Sequence, residues 1–274
     1  MKSGDATRVV VFGLDGVGLH TLRSTATPHL DSIAAAGFLV PVVLGDGSPT
    51  ISGPSWATVA SGVHPAKHLV FDNDLAGNAL ARYPDFLSRA RSAARSTYAA
   101  AAWITLHATT YGGPIFSGQD FFVPDDPPDD PIWDRRDDAI ADNAATVLGS
   151  ADIDVAFVYF GAPDVVGHSV GTGSEYVASI ERADARVGRV LTAIRSRKNY
   201  PDERWAIVAA TDHGHADGGG HGGDSAEERA AWIATDVPGE REDLTLADIH
   251  PQVLSWLGIP IDLQWNLDGR PFAR

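Results

Sequence analysis

The chain has 274 residues, 44% of them apolar, enough to bury a sizeable core, and one catalytic domain over 1–274 is expected. Its 36 acidic residues outnumber 21 basic ones, a net charge of -15, so the overall field repels nucleic acid polymers and anionic membranes. A phosphate-bearing ligand therefore needs a local source of positive charge. The absence of cysteine excludes disulfides and thiolate metal sites and leaves His, Asp and Glu as metal ligands. No run approaches the roughly 18 apolar residues of a membrane span, and "MKSGDATRVVVFGLDG" lacks the apolar core and cleavage site of a signal peptide. A cytoplasmic location is expected, or a secreted one where a leader has been removed.

In chain order, "RVVVFGL" (8–14) is apolar at nearly every position and predicts a buried parallel strand, followed at once by Asp15 in "GLDGVG". "TPHLDSIAAAG" (27–37) carries helical periodicity. "SPTISGPSWATVASGVHP" (48–65) reads as a loop entering a short helix, with Pro54 in the first turn and Ser52 at the positive end, where an anion binds readily and where serine is also a preferred cap. A helix over 84–96 and a strand over 98–104 follow. The stretch 117–138, dense in acid and proline, reads as a solvated insert. A helix over 135–150 and the strand "DVAFVYF" (154–160) lead to "PDVVGH", which puts Asp164 and His168 one helical turn apart. A long helix over 174–197 and the strand "RWAIVAAT" (204–211) precede "TDHGHADGGGHGG", with Asp212, His213, His215, Asp217 and His221.

That alternation predicts an α/β fold, a mostly parallel sheet with helices on both faces, in which functional groups collect beyond the carboxyl ends of strands. Asp15, Asp164 and Asp212 all lie at such ends. Singly, each motif has a plain structural reading: Asp-Gly is a common turn, D-x-x-x-H occurs by chance on helices, and Ser52 can cap. Jointly, oxygen and imidazole donors at converging strand ends suit zinc or a similar divalent ion, and a two-metal site uses this many.

The ordered set "GLDG", "PTISGPSW…SGVHPAKHLVFDN", "PDVVGH" and "TDHG…HGG", closed by "LADIHPQVLSWLGIP" (246–260), resembles the alkaline phosphatase superfamily, most closely its type I phosphodiesterase/nucleotide pyrophosphatase branch. The resemblance implies a three-layer α/β/α sandwich with a minimal cap. It further implies that Asp15, Ser52, Asp212 and His213 surround one divalent cation and Asp164, His168 and His221 the other, both most readily Zn2+, with Mn2+ as the alternative. Ser52 falls at the nucleophile's place, and Asn73 matches the asparagine that binds a phosphoryl oxygen, with Leu69 where the family has glycine. The backbone N–H near Gly53 is expected to assist.

Two departures bear on specificity. The spacing of "SGPSW" also fits a sulfatase signature, but Trp56 replaces its arginine, and no cysteine exists for conversion to formylglycine. The same missing arginine favours a diester or pyrophosphate over a monoester. The expected protein is a two-metal phosphoric ester hydrolase acting on a small-molecule phosphate ester through a phospho-serine intermediate. Alternatives are a phosphomonoesterase or phosphonate hydrolase on the same site, a phosphomutase, which usually carries an additional domain, and a non-catalytic metal-binding protein. Phe121, Phe122 and Trp133 would stack on an aromatic group if the insert borders the pocket. His215 and Asp217 are assigned to turn structure or to orienting ligands, His64 and His68 to a turn, and His250 to the surface or a helix start; His20 has no assigned role.

Overall fold

The computed structural model describes residues 7–45, 47–118, 120–122, 133–239, 241 and 243–273. Among the described residues, seven strands form one sheet: β1 (Arg8–Leu14), β2 (Phe38–Val43), β3 (Thr97–Ala101), β4 (Phe121–Phe122), β5 (Val155–Phe160), β6 (Trp205–Ala210) and β7 (Ala230–Thr235), in the spatial order β2-β7-β6-β1-β5-β3-β4. Strand β7 runs antiparallel to both its neighbours, and the β1, β5, β6, β3 and β4 pairings are parallel. Both faces of the sheet are covered, which is why the central strands are apolar without alternation. Val9 and Val11 point into one core with Trp56, Phe86, Phe157 and Leu254, whereas Val10 and Phe12 point into the other with Ile140, Tyr176, Ile180 and Val187.

The first core is roofed by α3 (Ser52–Ser61), α5 (Phe86–Ser92) and α9 (Ile249–Trp256), the second by α1 (Leu19–Ser24), α2 (Pro28–Ala36), α6 (Trp133–Ser150) and α8 (Ser174–Arg195). The short helices α4 (Pro65–His68) and α7 (Ala162–Val170) follow α3 and β5. The three-layer α/β/α architecture is the expected one. No helix among the described residues is long and apolar enough to cross a membrane.

Several elements differ from expectation. Strands β2 and β7 and helix α1 were unforeseen, and the strand expected over 98–104 leaves the sheet after Ala101. The acidic insert expected over 117–138 is shorter at its far end, because Trp133 to Asp138 form the first turns of α6. Asp137 there accepts from the backbone N–H groups of Gly161 (3.1 Å) and Ala162 (2.9 Å), so it caps α7. Trp133 is buried in the second core and does not offer a stacking face to a substrate. Gln119 and residues 123–132 of the same stretch lie outside the described residues, as do the side chains of Phe121 and Phe122.

Candidate active site

Strand order brings the acidic residues together. β1 lies between β5 and β6, so the three parallel strands end side by side: Asp15 follows β1, Asp164 sits in the first turn of α7 beyond β5, and Asp212 and His213 follow β6. Donor atoms gather within 4.8 Å of one another in three overlapping groups, two of which are Asp15, Asp212 and His213, and Asp164, His168 and His221. The His213 and His221 rings, with centroids 3.8 Å apart, join them. His221 reaches the second group because its loop turns through left-handed backbone at Gly219, Gly220 and Gly222, with φ of 82°, 81° and 104°.

Two of the imidazoles, His213 and His221, are each oriented through Nδ1. His221 Nδ1 lies 2.7 Å from the Thr50 carbonyl and His213 Nδ1 lies 3.0 Å from that of Gly214. As donors there, these nitrogens leave both Nε2 atoms facing the carboxylates and able, once deprotonated, to serve as lone-pair ligands. His221 Nε2 stands 3.4 Å from Asp164 Oδ1 and 2.9 Å from His168 Nε2. His213 Nε2 stands 3.2 Å from Asp212 Oδ2 and 3.7 Å from Asp15 Oδ1.

Electrostatics say what this cluster needs. Burial, then repulsion from Asp164, pushes the Asp15 carboxyl up to about 6, and burial with repulsion from Asp15 pushes Asp212 well above the ordinary range. Burial opposes the charge on Asp164 too, but the His215 and His221 imidazoles beside it hold it well below the usual carboxylate value. Burial and the neighbouring His221 keep His213 far below an ordinary imidazole, hence neutral. Asp212 Oδ2 is buried with no hydrogen-bond donor. Repelling buried carboxylates, an orphaned oxygen and imidazole lone pairs aimed at one another form a donor set that divalent cations satisfy.

Ser52 adjoins the first group. It is the first residue of α3, where Ile51 occupies the capping position, so its hydroxyl is not spent on the helix end. Instead Ser52 Oγ lies 3.3 Å from Asp15 Oδ1 and 3.1 Å from His213 Nε2, and the residue is only 6% exposed. Asn73 is exposed across from it, and its Oδ1 accepts the Gly53 N–H at 2.8 Å. That bond corrects one expectation: the Gly53 N–H is engaged by Asn73 and is not left for a substrate oxygen. It also fixes the amide with its NH2 donor free of this contact. Leu69, which stands where the resemblance places a glycine, has φ of 59°, the left-handed conformation that glycine adopts most easily.

The sequence gives little sign of His215's place. It is buried, with Nε2 3.0 Å from Asp164 Oδ1, and it forms a third group of close donors with Asp164 and His213. Its ring also packs edge-on against those of His213 and His221, with centroids 5.8 and 5.4 Å away. Alternation of histidine and glycine in "DHGH" was the available signal. Asp217 is exposed, and its carbonyl accepts from Thr172, a turn role. His68 is buried in its turn with Nε2 3.1 Å from Thr58 Oγ1. His250 starts α9 as one alternative had it, but it is wholly buried and contacts the Ala60 carbonyl at 2.6 Å, so its surface reading is corrected.

A family model, type I phosphodiesterase / nucleotide pyrophosphatase, matches residues 9–253. Murine ectonucleotide pyrophosphatase / phosphodiesterase 5, solved with AMP, superposes with a TM-score of 0.65 at 15% identity, covering 93% of this chain and 96% of that one. The phosphonate monoester hydrolase of Agrobacterium radiobacter reaches 0.70 at 16% identity (97% and 76%), and a putative sulfatase from Bacteroides thetaiotaomicron 0.71 at 13% (97% and 73%). At such identities these likenesses show the fold. Among curated proteins, the 2,3-bisphosphoglycerate-independent phosphoglycerate mutase of Natronomonas pharaonis is 29% identical over 153 residues, 50% of this chain and 28% of the mutase. The chain thus spans little more than a quarter of the curated relative's length. With the family model matched over most of its residues, the chain belongs to the type I phosphodiesterase / nucleotide pyrophosphatase family.

Proposed function

We propose that the protein is a two-metal phosphoric ester hydrolase that cleaves phosphodiesters or nucleotide pyrophosphates through a phospho-serine intermediate at Ser52. The observation that carries this reading is the position of Ser52 Oγ, buried at a helix start within 3.3 Å of Asp15 and 3.1 Å of His213. A metal-binding module has no use for a hydroxyl so placed. Asp15, Ser52, Asp212 and His213 would hold one divalent cation and Asp164, His168 and His221 the other, Zn2+ or Mn2+. When bound, such ions neutralise charge growing on the transferred phosphoryl group and favour ionisation of a coordinated hydroxyl.

Ser52 would attack phosphorus in line as the ester or anhydride oxygen departs, and water would then cleave the phospho-serine to restore the hydroxyl. The positive end of α3 faces the same phosphoryl group, and the Asn73 NH2 would donate to one of its non-bridging oxygens. Diester preference is supported by position 56: the tryptophan there uses its N–H on Asp15 (2.9 Å) and brings no cation for a monoester's extra charge. Phosphomonoester or phosphonate ester hydrolysis is the alternative on the same residues. A mutase reading draws on the curated relatives, which share only half of this chain.

The test is a substrate panel with added Zn2+ or Mn2+. The expected result is faster hydrolysis of bis-p-nitrophenyl phosphate than of p-nitrophenyl phosphate. A monoester preference would favour the alternative, and interconversion of phosphate esters without released alcohol or phosphate would favour the mutase.

A further inference from the structure

Asp15 is gripped at both carboxylate oxygens. Oδ1 faces Ser52 Oγ at 3.3 Å and His213 Nε2 at 3.7 Å, while Oδ2 accepts from Trp56 Nε1 at 2.9 Å and from the Tyr159 hydroxyl at 2.5 Å. The two donors come from different layers. Trp56 lies four residues beyond Ser52 on α3, so one helix face touches both oxygens of the same carboxylate. Tyr159 lies on β5, opposite Gly13 of β1.

Neither donor has room to swing. Trp56 is wholly buried and Tyr159 is 3% exposed, and their rings meet edge to face at 5.7 Å. The indole edge fills the space over Gly13, where an added Cβ would stand 2.7 Å from it. Both donors are neutral. The phenol hydroxyl and the indole N–H orient Asp15 by donating to it, without cancelling its charge.

We propose that Trp56 and Tyr159 are positioning residues: by occupying Oδ2 they confine Asp15 to a single ligand oxygen, Oδ1, aimed at the cation of the nucleophile, and they hold Ser52 against it. The proposal rests on the two-cation reading. A carboxylate with both oxygens free can rotate or chelate through both; two fixed donors remove that freedom, and such outer contacts commonly contribute about 10–100-fold in metal affinity. The tryptophan at position 56 thereby acquires a role of its own in this chain.

Tyr159→Phe removes one hydroxyl from an otherwise unchanged ring, and Trp56→Phe removes the indole N–H. The full chain, stripped with chelator, is titrated with Zn2+ against a chromophoric competitor to obtain stepwise affinities, alongside kcat and KM for bis-p-nitrophenyl phosphate. For Tyr159→Phe the expectation is a roughly 10–100-fold weaker affinity at one of two sites, no change at the other, and a fall in kcat with KM little altered. Wild-type tryptophan emission should also change as that site fills, and Trp56→Phe should lack this change. Wild-type affinities in Tyr159→Phe would overturn the proposal, and so would equal weakening at both sites with a lowered Tm, which marks general loosening. Because Trp56→Phe opens space in the core, the tyrosine variant decides if the tryptophan variant fails to fold. Failure of the wild type to take up Zn2+ would instead overturn the two-cation reading itself.

Discussion

Gly53→Ala separates the role proposed for Asn73 from that proposed for the cations. A Cβ on Gly53 would stand 2.5 Å from the Asp72 carbonyl oxygen and 3.0 Å from Asn73 Oδ1. Restoring contact at about 3.5 Å requires the Asp72–Asn73 backbone to retreat by roughly 1 Å. That retreat breaks the 2.8 Å hydrogen bond from the Gly53 N–H and carries the Asn73 donor away from Ser52. Displacement of about 1 Å costs up to roughly 100-fold in rate, and loss of one donor to a developing oxyanion costs about 100–1000-fold, or roughly 3–4 kcal/mol. Gly53→Ala is therefore expected to lower kcat on bis-p-nitrophenyl phosphate by about 10–100-fold with metal content unchanged, and Asn73→Ala by somewhat more. Since the glycine acts through Asn73, the double variant should be no slower than Asn73→Ala alone. Steady-state kinetics with metal analysis of all three proteins supply the test. Wild-type kcat in Gly53→Ala, or strictly additive losses in the double variant, would refute the reasoning.

Ser52→Ala should reduce kcat/KM by roughly 1000-fold or more while still taking up metal, and residual activity near wild type would exclude the covalent route. Cation binding should stabilise the fold, because it relieves the repulsion among Asp15, Asp164 and Asp212: Zn2+ at about a thousand times its Kd adds roughly 4 kcal/mol, read as a higher Tm than in chelator-treated protein. An unchanged Tm would count against a buried cation. His250 supplies a pH dependence remote from the Asp and His cluster. Burial pushes its imidazole down to about 3 from an ordinary 6.5, so below pH 6.5 the unfolded chain takes up a proton that the folded one refuses. Stability from this residue is intact above pH 6.5 and falls by about 2 kcal/mol on going to pH 5. Denaturation at pH 7 and pH 5 should show a smaller drop in His250→Asn, whose amide can still donate to Ala60, and an equal drop in both proteins would contradict the assignment.

The central strands were legible because β1, β5 and β6 are buried on both faces and so carry unbroken apolar runs. Edge elements were not. Pro41 interrupts "FLVPVV", and β2 tolerates it because it pairs on one side with β7. Strand β7, "AAWIAT", follows "AEER" and is rich in alanine, a helix former, so pairing with β2 and β6 overrides local preference. The Asp and His residues of the site were visible as motifs at strand ends, since ligand chemistry restricts residue type strongly. The roles of His215, Trp56 and Tyr159 had no comparable signal, because a buried aromatic or imidazole in a sequence reads equally well as core.

From the sequence alone follow the α/β class, the exclusion of thiolate chemistry and the set of residues able to bind cations, because composition and periodicity report burial and donor type directly. Only the tertiary structure decides which donors meet. The adjacency of β5, β1 and β6 places Asp164, Asp15 and Asp212 side by side although some 50 to 200 residues separate them in the chain. The same packing turns Ser52 away from its helix end toward Asp15 and His213, engages the Gly53 N–H with Asn73 and delivers the Trp56 and Tyr159 donors to Asp15. Those contacts depend on how α3 and β5 lie against β1, and no local property of the chain encodes that arrangement.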